Sequence, residues 1–93
     1  MVVKLLYFSA EWCGPCSTQS PIIDEIKEEY EDEMEINKID IEENEQISSR
    51  YQVRSIPTII VLTEDEDGTE ELQDRFVGLT QKEDIEDSIN AVL

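Results

Sequence analysis

Two cysteines separated by two residues, Cys13 and Cys16, carry the strongest chemical signal in this sequence. A bridge closing so short a loop removes little entropy from an unfolded chain, so the pair is a poor structural staple. It suits thiol–disulfide exchange or metal binding instead. Exchange needs a thiolate, and Cys13 stands where a loop passes into an expected helix. Unpaired N–H groups and the helix dipole favour a negative sulfur there. Cys16 falls one turn later on the same side, placed to attack a mixed disulfide formed at Cys13, with Gly14 and Pro15 setting the turn between them. The expected asymmetry is an exposed, attacking Cys13 and a more buried, resolving Cys16. The same spacing serves zinc sites, but zinc normally takes four ligands. The chain has no His and no third Cys, so a zinc site would need carboxylates or a second subunit. Redox chemistry is preferred over metal binding, and an inert buried pair stands behind both.

The elements that must position these thiols follow from periodicity. Residues 2–8 form a nearly continuous apolar run broken by Lys4, which suits a central strand covered on both faces. A loop over residues 9–14 leads into a helix from about Pro15, a residue tolerated in a first turn. Ile22, Ile23, Ile26 and Tyr30 give that helix an apolar stripe, and Pro21 inside it removes one backbone bond. Residues 35–41 read as a second strand and residues 42–51 as a short helix anchored by Ile47 and Tyr51. A third strand covers residues 58–63 and a fourth Glu70–Val77, joined through a turn ending in Asp67-Gly68. Thr80-Gln81-Lys82-Glu83 has the form of a capping box opening a last helix that buries Ile85, Ile89 and Val92. The order β-α-β-α-β-β-α predicts an α/β fold. Its first two strands are parallel through a right-handed crossover, and its last two form an antiparallel hairpin on the same four-stranded mixed sheet. Ligand chemistry in such sheets gathers beyond the carboxyl ends of the parallel strands, where Cys13 falls.

Composition bounds the function classes. Ninety-three residues are expected to make one domain, residues 1–93, with no repeat or linker. Acids number 24 against 7 bases, a formal charge of −17, which excludes nucleic acid as a partner through repulsion by phosphate. Only Glu11 among the first 23 residues is acidic, whereas residues 24–35 hold eight acids. Such a surface is solvated and self-repelling, and aids solubility. A sharper expectation is adaptation to a high-salt cytoplasm, supported by a lysine count of only four. Residues 1–8 are too short for a signal-peptide core and no small-residue cleavage site precedes Glu11, so a cytoplasmic location and no membrane association are expected.

The run Ala10-Glu11-Trp12-Cys13-Gly14-Pro15-Cys16 resembles the signature of thioredoxins. The resemblance continues through Pro21-Ile22-Ile23-Asp24-Glu25-Ile26 and Tyr30, then Lys38-Ile39-Asp40. It resumes at Tyr51-Gln52-Val53-Arg54-Ser55-Ile56-Pro57-Thr58 and at Val77-Gly78, in the family's order and spacing. It implies a thioredoxin fold and a monomeric dithiol reductant of protein disulfides, in which Cys13 attacks and Cys16 resolves. It also implies a redox-active Cys13–Cys16 disulfide, no bound cofactor, disulfide-containing protein substrates and a thioredoxin reductase-like electron donor. The match further implies a cis Ile56–Pro57 bond that leaves the Ile56 backbone free to pair with an extended substrate segment. Trp12, Pro57 and Gly78 would line a shallow apolar groove, with Gly78 permitting close approach; a plain strand–helix turn is the other reading of Gly78.

Three departures from the family pattern stand out. Common longer thioredoxins begin with an additional strand and helix, so the strand at residues 35–41 is expected at a sheet edge, guarded by charges such as Lys38. Most members bury a carboxylate six residues before the first cysteine, thought to help deprotonate the resolving thiol. Tyr7 stands there, and a phenol is a poor base at neutral pH. Tyr7 could donate a hydrogen bond or simply pack, and packing is preferred. Lys38, which matches a family lysine that accompanies the carboxylate, is then expected to be a solvated edge residue. Ser9 stands where many relatives have an aromatic residue, and the hairpin loop at residues 64–68 is extended and acidic; both are expected to alter partner choice rather than chemistry. Two alternatives remain beside this one: a glutaredoxin-like, glutathione-coupled oxidoreductase, and a thioredoxin-fold binding module with incidental thiols.

Overall fold

Side chains alternate across a strand, so a central strand apolar at every position must be covered twice. That is how the first strand organises the molecule. A computed structural model describes residues 1–93. Its elements run β1 (Val2–Ser9), α1 (Gly14–Tyr30), β2 (Glu35–Asp40), α2 (Glu45–Arg50), β3 (Thr58–Glu64), β4 (Glu70–Val77) and α3 (Lys82–Val92). The sheet order is β2-β1-β3-β4, with β1 parallel to β2 and antiparallel to β3, and β3 antiparallel to β4. Val3, Leu5 and Tyr7 of β1 face one core with Ile23 and Ile26 of α1 and Ile85 and Ile89 of α3. Leu6 and Phe8 face the other with Ile39, Ile60 and Leu62, edged by Tyr51, Val53 and Ile56. Each fully buried aliphatic contributes about 1.5–3 kcal/mol, so these two layers hold the sheet rigid beneath the cysteines.

The hairpin turn forms as its chemistry demands. Gly68 takes φ +84°, and the Asp65 carboxylate accepts the amides of Asp67 and Thr69, each at 3.0 Å. Tyr51 fastens α2 to this hairpin. Its hydroxyl donates to Glu70 at 2.5 Å, its carbonyl accepts from Arg75 at 2.6 Å, and its ring lies 6.1 Å from that of Phe8. Burial, and then the Glu70 bond, push the Tyr51 phenol pKa up to about 12, so it stays a donor at any ordinary working pH.

Several expectations need correction. The short helix begins at Glu45, after Asn44 as its N-cap; residues 41–43 form a turn in which the Asp40 carboxylate accepts the amides of Glu42 and Glu43 at 2.8 and 3.4 Å. Ile47, expected to anchor that helix, is exposed, and Ser48 is buried in its stead. Val92 is only half-buried. The capping box at Thr80 does not form: α3 is capped at Gln81 with no side-chain bond, because both the amide and the hydroxyl of Thr80 have other partners.

Candidate redox site

The carboxyl end of β1, the start of β3 and the end of β4 meet at one end of the sheet, since Thr58 pairs with both Phe8 and Val77. Three loops therefore converge there, carrying Cys13, Pro57 and Gly78. Cys13 is the N-cap of α1, with extended backbone, and its sulfur accepts the Cys16 amide at 3.2 Å. Its own amide donates to Ala10 at 3.2 Å, which folds the loop back before the helix starts. No acidic residue lies in the first turn of α1, so nothing there opposes a negative sulfur at the helix N-terminus. Cys13 and Cys16 are joined as a disulfide, Cα to Cα 5.3 Å. The expected exposure of Cys13 is corrected: it is 7% exposed and Cys16 3%. Bridged, the Cys13 sulfur lies against the Cys16 amide at the helix N-terminus, and both residues are buried. Gly14 and Pro15 are exposed beside the pair.

Trp12 is 66% exposed, and its indole N–H donates to Glu42 at 3.0 Å, which props the ring between the cysteine loop and the loop after β2. The Ile56–Pro57 peptide is cis, Pro57 is buried, and Ile56 makes no backbone–backbone hydrogen bond. Gly78 donates to the Pro57 carbonyl at 2.8 Å and adopts φ +92°. That conformation explains the glycine. Close approach within the chain does not, since an added Cβ would meet nothing within 4 Å. A hollow of about 620 Å³ lies across the free edge of β2, lined by residues such as Lys4, Lys38 and Arg50 and by neither cysteine. No group of three or more metal-ligating side chains is gathered anywhere in the fold.

Tyr7 is fully buried in the core, as preferred, yet it also bonds. Its hydroxyl donates to the Cys16 carbonyl at 3.2 Å and lies 2.9 Å from the Ser20 hydroxyl. Lys38, beside Tyr7 in the sheet register, is not simply solvated: it pairs with Asp24 of α1 at 2.7 Å. Gln19 is the site residue that sequence reasoning missed. Fully buried three residues after Cys16, it accepts the Thr80 amide at 2.8 Å and donates to the Thr80 carbonyl at 3.1 Å. The one available signal was a long polar side chain on the helix face that carries the thiols.

A family model described as Thioredoxin matches residues 2–91. The thioredoxin of Rickettsia typhi is 46% identical over 83 residues, covering 89% of this chain and 74% of that protein. The thioredoxin of Bacillus subtilis is 40% identical over 88 residues, covering 95% and 80%. A solved structure described as a malarial protein superposes with a TM-score of 0.85 at 29% identity, covering all of this chain and 99% of the other.

Proposed function

Since the chain belongs to the thioredoxin family and is a thiol–disulfide oxidoreductase, we propose that it reduces protein disulfides with Cys13 as nucleophile and Cys16 as resolving thiol. The Cys13 thiolate attacks one sulfur of the substrate disulfide, forming a mixed disulfide and expelling a substrate thiolate. Cys16, once deprotonated, attacks the Cys13 sulfur; the Cys13–Cys16 bond forms and the second substrate thiolate leaves and is protonated. Two electrons pass to the substrate, and a thioredoxin reductase-like donor returns them. No bound cofactor takes part in this scheme. The observation that carries it is Cys13 at the N-cap of α1, its sulfur facing the Cys16 amide with no acid in the first turn. Trp12, Gly14, Pro15, Ile56, Pro57 and Gly78 form the groove in this reading. The free Ile56 backbone supports pairing with an extended substrate segment.

The midpoint potential of the pair, measured in a thiol redox buffer, tests the direction of flux. A value near about −270 mV is expected for a reductant fed by a reductase. A value well above roughly −200 mV would transfer the assignment to a glutathione-coupled or oxidising role.

A monomer working in a cytoplasm of high salt is the setting that the surface supports. At −17, self-repulsion opposes compactness, and at molar salt charges more than about 3 Å apart are largely screened. No helix is long and apolar enough to cross a membrane. The melting temperature is expected to rise steadily from low to molar KCl. A melting temperature indifferent to salt would refute the high-salt assignment.

A further inference from the structure

We infer that Gln19 is a positioning residue that sets the wall of the substrate groove by clamping the loop at residues 78–80 to the redox helix. Its amide meets both backbone groups of one residue, Thr80, at 2.8 and 3.1 Å, as one rung of a sheet ladder would. An amide side chain offers a donor and an acceptor at that spacing without needing a proton from solution, as a carboxyl would. The chain of bonds continues outward: the Thr80 hydroxyl donates to the Gly78 carbonyl at 2.9 Å, and the Gly78 amide donates to the Pro57 carbonyl at 2.8 Å. Four hydrogen bonds thus connect α1, one turn beyond Cys16, to the cis-proline loop. The flanking Val77 and Leu79 are 62% and 48% exposed, so the clamp fixes apolar surface that a partner can cover.

Packing alone does not account for this residue. A leucine would fill a fully buried site of that size, but it would leave the Thr80 N–H and C=O without the partner that Gln19 gives them. What the amide adds is a defined height and register for the loop. The inference rests on the reading that Trp12, Pro57 and Gly78 bind substrate.

The test uses the full chain with dithiothreitol as reductant and compares insulin with a small aromatic disulfide. Gln19→Leu is expected to raise KM for insulin roughly tenfold while kcat changes little, so that the insulin-to-small-disulfide ratio of KM rises by a similar factor. Gln19→Glu supplies the second arm. Its carboxylate can accept the Thr80 amide but has no proton for the Thr80 carbonyl, and its protonated form has both. KM for insulin should therefore fall back toward the parent value as pH is lowered. An unchanged insulin KM, or equal losses on both substrates, overturns the clamp. If Gln19→Leu does not fold, a Gln19→Glu profile flat with pH overturns it instead. Trp12→Ala separates this from the groove reading: if it raises insulin KM and the Gln19 variants do not, the clamp alone falls, and if it too leaves KM unchanged, the groove falls.

Discussion

Replacing Cys13 by serine is expected to reduce protein-disulfide turnover to the uncatalysed background, while Cys16→Ser is expected to accumulate a stable mixed disulfide through Cys13. A serine hydroxyl at the α1 N-cap keeps the capping geometry but forms neither a thiolate nor a disulfide, so the first step is lost outright. With Cys16 changed, the first step proceeds and the second has no nucleophile. Intact mass after mixing with a disulfide peptide reads this directly, as one peptide added per chain for Cys16→Ser and none for Cys13→Ser. Adduct on the Cys13→Ser variant would reverse the two roles. The same pair separates the rivals. Direct recycling of the parent chain by glutathione, faster than by a thioredoxin reductase, would favour the glutaredoxin-like alternative. A biological effect that survives loss of both thiols would favour the binding module.

The residues that carry this chemistry were legible because their signals are local. Cys13 and Cys16 announce themselves by spacing, the loop–helix junction by Gly14-Pro15, and the hairpin by Asp67-Gly68. Strand β1 was legible because a central strand must be apolar on both faces. What failed was decided by partners distant in sequence. Thr80-Gln81-Lys82-Glu83 satisfies the capping-box pattern, yet Gln19, 61 positions away, takes the Thr80 amide before the helix can use it. The start of α2 was not legible either: the Asp40 carboxylate accepts the amides of Glu42 and Glu43 as a helix cap would, yet the chain makes a turn there and the helix waits for Glu45. The burial of Cys13, 7% exposed against 3% for Cys16, is set by how the bridged loop packs and not by its place before a helix. The place of Tyr7 in the core was legible from its strand position; that its hydroxyl ends on the backbone of Cys16 was not.

That last contact leads to the second large effect. Tyr7→Phe removes the bonds to the Cys16 carbonyl and the Ser20 hydroxyl while keeping the ring in the core, and should lower stability by about 1–2 kcal/mol. Since the hydroxyl is engaged with the carbonyl and Ser20 rather than with the thiol, release of the mixed disulfide should change little. Tyr7→Asp differs in kind. It empties a fully buried aromatic site and sets a carboxyl there, at a cost of about 3–5 kcal/mol. Burial raises the folded pKa of the introduced carboxyl above its unfolded value near ~3.9. The folded chain then holds that proton more tightly, so the variant is most stable below the unfolded pKa and loses stability as pH rises through the folded one. Once ionised, the carboxylate sits in the site that Tyr7 leaves empty beside Cys16, with Lys38 next to it in the sheet register, and supplies a base that the parent chain lacks. Denaturant melts from pH 4 to 8 should show the acid-side recovery, and stopped-flow decay of the mixed disulfide should quicken over the same range. Decay that is no faster in Tyr7→Asp at any pH means that proton removal from Cys16 does not limit resolution. A large slowing in Tyr7→Phe would place the phenol itself in that proton transfer.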